Sequence, residues 1–284
     1  ERSGGYFYRL CPQKSEFIVK RLELFEFEDF QWLPNAIRVG ITNLLTVLHR
    51  MFGTSEVLIG LIKSCREKIE FDRIVDLGSG SGGPMISVVS QFNQSQTEEE
   101  PLELVLTDKY PDRVTVDRIN AEAESFVSYH TASVDAQHIE QTPKGLKTMV
   151  ASFHHMRPSI ARKILRSAEE SKEPILIYEI AENNVPVLVW WLLLPISLAV
   201  LILMALFMTP FIRPLRAQQL VFTYLIPVIP LIYAWDGQAS IMRTYTFEDI
   251  KSLLGEQRNP DYTWVMAPVM KKNGKKAGYY LFGY

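Results

Sequence analysis

The sequence predicts an α/β protein built on a mostly parallel sheet, and three observations carry that prediction. Residues 73–84 read Arg-Ile-Val-Asp-Leu-Gly-Ser-Gly-Ser-Gly-Gly-Pro, a short apolar strand that turns through glycines into a helix-like run from Met85. Apolar strand segments then alternate with helical segments as far as residue 180, which implies parallel strands covered on both faces. The chain closes on two further strand-like segments joined by Asn-Gly turn chemistry, a β-hairpin.

Each element has its own signal. From Lys14 to Glu70 the pattern is helical. Ile41, Leu44, Leu45, Val47 and Leu48 recur at helical spacing, as do Val57, Leu58, Leu61 and Ile62. Thr54 suits an N-cap for the second of these helices. Phe25, Phe27, Phe30 and Trp32 form an aromatic approach to Pro34, either core packing or a cap over a substrate pocket. Strands are predicted at residues 73–77, 103–107, 127–133, 147–153 and 174–180, and helices at 83–92, 114–124 and 158–171. Residues 93–101 are polar and acidic, a solvated loop. Thr246 caps a helix through Phe247, Ile250, Leu253 and Leu254, and strands at 262–269 and 277–282 flank the Asn273-Gly274 turn.

Composition excludes some function classes. The 284 residues are 47% hydrophobic, enough for one large or two small domains, and the net charge of -2 leaves no basic surplus for nucleic acid. Cys11 and Cys65 make neither a disulfide framework nor a zinc site, which suits a reducing compartment. Glu1 stands where an initiator Met would, which reads as a trimmed chain, and no basic stretch leading into an apolar run marks a signal peptide.

The glycine turn is the richest motif. A strand that bends sharply into a helix needs residues tolerant of unusual backbone angles, and it leaves N–H groups free for a closely approaching ligand. Gly78, Gly80 and Gly83 also satisfy a nicotinamide fingerprint. That fingerprint expects its ribose acid about 20 residues on. Here the next strand-terminal acid is Asp108, considerably further along. The series Asp76-x-Gly78-x-Gly80-x-Gly82, with the pieces that follow it in order, resembles the class I S-adenosylmethionine (SAM) dependent methyltransferases.

The resemblance covers about residues 70–284, interrupted by one insertion, and implies a Rossmann-like, seven-stranded, mostly parallel sheet with a C-terminal hairpin. It implies SAM as cofactor. Gly78, Ser79, Gly80 and Gly82 would lie under its methionine part, and Asp76 would orient the loop or the methionine amine. Asp108, with Lys109 beside it, resembles the acid that accepts from both ribose hydroxyls. Asp135 and Ala136 resemble the acid-plus-small-residue pair at the adenine, and Ser152 would line the same cleft. Residues 152–157, Ser-Phe-His-His-Met-Arg, resemble the His-His sequence of ubiquinone- and menaquinone-type relatives, so His154 or His155 is a candidate general base. Glu179, Glu182 and Asn183 would face the cleft from the next strand, as substrate contacts or merely as loop polar groups. Asp236 and Arg243 are further substrate-wall candidates, or a mutual salt bridge. Adjacent histidines lack metal-ligand spacing and have no matching partners nearby in sequence, so no metal site is read, and no Ser-His-Asp arrangement is recognisable.

Residues 185–209 form an uncharged, almost wholly apolar run long enough to span a bilayer, and residues 220–235 form a shorter one. Pro210, Arg213, Pro214 and Arg216 separate them, and Trp190, Trp191, Tyr224, Tyr233 and Trp235 suit an interface belt. Both ends return to one domain, so a hairpin fits. The arginines favour one that dips into a single leaflet near lipid phosphates over a two-pass hairpin or an internal lid or dimer contact. The resulting organisation is a helical N-terminal cap at 1–70, a SAM-binding core at 71–184, a membrane-associated helical hairpin at 185–235, and a C-terminal helix and β-hairpin at 236–284 that complete the core. The expected function is methyl transfer to a lipophilic small molecule at the cytoplasmic face of a membrane, with lipid as a second partner. A non-catalytic, membrane-attached SAM-binding module is the alternative.

Overall fold

The computed structural model describes residues 19–95, 100–255, 259–271 and 273–284. The predicted cap residues 14–18, Cys11, part of the 93–101 loop and Lys272 lie outside the described residues. Seven strands form one sheet in the order β3-β2-β1-β4-β5-β7-β6. The strands β1 (Arg73–Leu77), β2 (Glu103–Thr107), β3 (Val127–Tyr129), β4 (Leu146–Val150) and β5 (Ile175–Glu179) run parallel. The last two, β6 (Trp264–Met270) and β7 (Lys276–Gly283), make the antiparallel hairpin, with β7 paired to β5. Pro268 sits in β6, at the sheet edge, where a missing N–H is tolerated.

Alternation along the strands divides the core in two. Ile74, Leu104, Leu146, Leu176 and Tyr178 join the cluster under α2 (Thr54–Arg66), α3 (Met85–Gln94) and α4 (Arg113–Glu122). Val75, Leu77, Met149, Ile175 and Ile177 join the opposite cluster under α5 (Pro158–Ser171) and α9 (Phe247–Leu254). Each such side chain, fully buried, stabilises the fold by about 1.5–3 kcal/mol. Thr246 caps α9 as predicted, in a reciprocal capping box with Asp249.

Four sequence expectations need correction. The stretch before α1 (Asn35–Met51) is extended with one 3-10 turn, Phe27–Asp29, not helical. Gly53, left-handed at φ 59°, is the N-cap of α2, and Thr54 is instead its first residue, with its hydroxyl 3.2 Å from His49 Nδ1. The third strand is short because its pairing with β2 runs only from Val127 to Tyr129. The fourth ends at Val150 because Ala151 adopts φ +48°, which breaks the ladder.

The insertion folds as α6 (Val187–Met208), α7 (Ala217–Leu220) continuing as a π-turn through Leu225, and α8 (Val228–Arg243). The Val187–Phe211 segment is long and apolar enough to cross a membrane, whereas the 217–243 limb is bent by 78°. A third core cluster joins the inner face of α6 to α1 and α8 through Leu44, Ala205, Met208, Ile229 and Tyr233. Trp190 Nε1 donates to Gln238 Oε1 at 2.9 Å and pins α6 to α8. The opposite face of α6 presents Leu188, Leu192, Ile196, Val200, Leu203 and Phe207, each more than half exposed. They recur every three or four residues, so they form one continuous stripe.

Candidate active site

The C-terminal ends of the parallel strands meet at the order reversal between β1 and β4, where open α/β sheets bind ligands. After β1 the chain makes a loop in which Gly78, Gly80, Gly82 and Gly83 have φ of +71°, +52°, +102° and +48°. Residues with a Cβ rarely adopt these angles. A Cβ at Gly78, Gly80 or Gly83 would meet nothing within 4 Å, so the loop faces open space wide enough for a close ligand.

Asp76 anchors this loop. Ser79 Oγ donates to Asp76 Oδ2 at 2.7 Å, and Thr148 Oγ1 of β4 donates to Oδ1 at 2.7 Å. Thr107 Oγ1 of β2 donates to the Asp76 carbonyl at 2.8 Å. Burial raises the Asp76 carboxyl to about 6; the hydroxyls of Thr148 and Ser79 oppose the rise, and the Asp108 charge adds to it. Asp108 accepts from Gly80 N at 3.0 Å and from Tyr110 N at 2.8 Å, which fixes it beside the loop. A carboxylate has about four acceptor positions, so two remain for hydroxyls. Tyr129 hydroxyl donates to the Gly80 carbonyl at 2.8 Å. Asp135 forms an ion pair with Lys109 at 2.8 Å and accepts from Gln137 N, with Ala136 next to it and partly buried. Ser152, after β4, has a buried hydroxyl without a hydrogen-bond partner. The predicted cofactor residues thus follow the C-terminal ends of four neighbouring strands, β3, β2, β1 and β4 in sheet order.

The predicted catalytic pair lies in a 3-10 turn, Phe153–His155, directly after Ala151 and Ser152. Glu179, the last residue of β5, grips His154 twice. It accepts from His154 N at 3.0 Å, and its Oε2 lies 2.9 Å from Nδ1. Burial disfavours the imidazolium, but the Glu179 carboxylate outweighs it, so His154 titrates above the ordinary histidine range. His155 is only partly buried, with its ring centroid 4.3 Å from that of His154.

The N-terminal extended segment supplies partners that sequence reasoning missed. Glu26 is buried, with Oε2 3.3 Å from His155 Nδ1, and Asp29 Oδ1 is 3.6 Å from the same nitrogen. Arg243 Nη1 lies 2.6 Å from Asp29 Oδ2 and 3.3 Å from Glu26 Oε1. Burial opposes ionisation of Asp29, yet the contacts with His155 and Arg243 outweigh it and hold its carboxyl below the usual range. Asp236 does not pair with Arg243. It accepts from Phe27 N at 2.8 Å and Glu28 N at 3.2 Å, so it fixes the 3-10 turn. Glu28 is raised to about 7, by burial first and then by the Asp236 charge. The remaining candidate, Glu182, is drawn away from this group: it pairs with Lys276 of β7 and accepts from Asn184. Asn183 donates to the Met242 carbonyl. The only sequence signal for Glu26 and Asp29 was acids interleaved with the aromatics of residues 25–32.

No protein-family model and no curated protein matches the chain. Solved structures do. The chain is similar to the plantazolicin methyltransferase BpumL in complex with SAH, with a TM-score of 0.52 at 10% identity over 90% of this chain and 91% of that one. It is also similar to the CurJ carbon methyltransferase, with a TM-score of 0.42 at 13% identity over 81% of this chain and 53% of that one. The BpumL likeness runs almost the full length of both chains. This chain has the α/β Rossmann-like fold of the class I SAM-dependent methyltransferases.

Proposed function

We propose that the protein transfers a methyl group from SAM to a lipophilic small molecule while held on the cytoplasmic face of a membrane. The observation that carries the reading is the Asp76-anchored glycine loop with Asp108 fixed to its Gly80 N–H, set in a methyltransferase fold. The residues fit the cofactor's chemistry. Gly78 and Gly80 give the methionine part a wall without side chains, Asp108 has acceptor capacity for the ribose, and Ser152 has a buried hydroxyl in want of a partner. Asp135, held by Lys109, and Ala136 receive the adenine. SAM supplies an electrophilic methyl group on a cationic sulfur.

The acceptor lies between the cofactor and the centre made by His154, His155, Glu26, Asp29 and Arg243. The acceptor's nucleophilic atom would displace sulfur at the methyl carbon, with the bonding pair staying on sulfur, and the acceptor's proton would pass to a histidine backed by a carboxylate. Glu179 and Asp236 act there as positioning residues, Glu179 on His154 and Asp236 on the 3-10 turn that carries Glu28 and Asp29.

The exposed stripe on α6 supports the membrane part of the reading. From Leu188 to Phe207 it extends about 29 Å at 1.5 Å per residue. The helix is apolar all round and long enough to cross a bilayer, so it is the return of both ends of the insertion to one domain and the bend in the following limb that favour a hairpin in one leaflet over a lone span. The bent 217–243 limb, with Leu225, Ile226 and Leu231 exposed, then dips into the same leaflet.

Methyl-labelled SAM incubated with the protein and a cell extract, followed by phase partition, tests the proposal. Label in the organic phase, lost with Asp108→Ala, is expected. Label in the aqueous phase refutes the lipophilic acceptor. Cofactor binding without transfer from extracts that contain lipid favours the non-catalytic module.

A further inference from the structure

The carboxylates around His155 are spaced in an unusual way. A charge-assisted N–H···O bond closes to about 2.7–2.9 Å. Here Nδ1 of His155 lies 3.3 Å from Glu26 Oε2 and 3.6 Å from Asp29 Oδ1. Neither contact is a good hydrogen bond. A four-coordinate cation with nitrogen and oxygen ligands at about 2.0–2.2 Å holds neighbouring ligand atoms about 3.4 Å apart, and these contacts have that length. A ligand atom from each of Glu26, His154 and His155 lies within 4.8 Å of the other two.

The other atoms of the cluster are arranged as supports. Arg243 approaches Asp29 through Oδ2 and Glu26 through Oε1, and Ser240 donates to the same Oε1 at 3.1 Å. Oε2 of Glu26 and Oδ1 of Asp29 are therefore left facing His155. Glu179 occupies Nδ1 of His154 and leaves Nε2 as the ring atom free to coordinate. A carboxylate behind a histidine in this way fixes its tautomer and raises its basicity toward a metal. His155 stays partly exposed, so the group is open on one side, as a catalytic rather than a structural metal site is.

We propose that Glu26, His154 and His155 bind a divalent transition-metal cation of the zinc type, with Asp29 as a nearby acid outside the ligand set. Two imidazoles and carboxylate oxygens suit that class better than magnesium or calcium, which favour all-oxygen sites. The inference goes beyond the methyl-transfer reading and is tested apart from it. With the cation bound, an acceptor would be activated by coordination to metal instead of by a histidine.

The test is a titration of the full chain, stripped with a chelator, with Co2+, read by visible absorption and by calorimetry. One Co2+ per chain is expected, with ligand-field bands that Zn2+ abolishes by displacement. Glu26→Gln and His155→Gln each weaken binding at least about tenfold, and Glu179→Gln weakens it roughly 10–100-fold through its hold on His154. SAM titration of the same variants reports whether the fold survives, since the glycine loop and Asp108 lie outside the substituted set. Absence of stoichiometric Co2+ uptake by the unsubstituted protein overturns the site. So does uptake that the Glu26→Gln, His155→Gln double variant retains. Failure to bind SAM with Co2+ uptake intact would sink the methyl-transfer reading and leave the metal site standing.

Discussion

Replacing Asp76 by asparagine removes a charge from beneath the glycine loop with little change in size. The wild-type carboxyl is raised from 3.8 to about 6, chiefly by burial. At about 1.36 kcal/mol per pH unit, ionised Asp76 destabilises the native state by about 3 kcal/mol. The sign follows from which state holds the proton. At low pH both states are protonated and nothing is lost. As pH rises past 3.8 the unfolded chain releases its proton while the native state keeps it, so stability falls until about pH 6 and then levels. Asparagine cannot titrate, and it loses one acceptor for the hydroxyls of Ser79 and Thr148, about 1 kcal/mol at all pH values. Urea denaturation of both proteins at pH 4 and pH 7.5 isolates the effect, because other titrating groups cancel in the difference. The variant gains about 2 kcal/mol on the wild type between the two pH values. A difference that does not change with pH refutes the burial argument for Asp76. Under the proposed function, the cationic cofactor favours the ionised carboxylate, so SAM affinity rises with pH up to about 6.

Four other variants probe the rest of the account. Arg243→Met strips the buried Glu26 carboxylate of its cation and lowers urea stability by about 3 kcal/mol, with Asp29, half exposed, contributing little. Gly278→Ala places a Cβ 2.0 Å from the Glu179 carbonyl at φ +88°, so it destabilises by more than about 2 kcal/mol. Gly274→Ala, at φ +76° with nothing within 4 Å, costs only about 1 kcal/mol; equal losses by thermal denaturation would contradict the close-approach argument. Leu192→Glu with Ile196→Glu leaves thermal stability unchanged, because both side chains are exposed, but lowers co-flotation with anionic liposomes at least about tenfold. Undiminished flotation would remove the α6 stripe from the membrane contact.

The parts of this protein that were legible in the sequence are those set by local chemistry. The glycine loop announces itself because only glycine tolerates its angles, and Thr246 with Asp249 because a capping box is a four-residue pattern. Asp108 was placed at a strand end because it directly follows the apolar run of β2, whereas Asp135 lies six residues beyond the end of β3. What escaped is what depends on distant chain segments or on conformations that residue type does not reveal. Ala151 takes a left-handed angle that alanine rarely adopts, so the fourth strand was predicted three residues too long. Residues 19–34 carry acids and aromatics at spacings that resemble an amphipathic helix, yet the stretch is held extended by Asp236 on the 3-10 turn and by Trp235 Nε1 on the Phe25 carbonyl. No pattern within that stretch says that Glu26 meets His155. Asp236 and Arg243 were read as substrate contacts or as a mutual salt bridge, but each is claimed by the N-terminal segment.

The most direct test is calorimetric titration with SAM. One SAM per chain, with binding lost in Asp108→Ala and NAD not bound, is the result this account predicts. Retention of SAM binding by Asp108→Ala, or binding of NAD in its place, would contradict it.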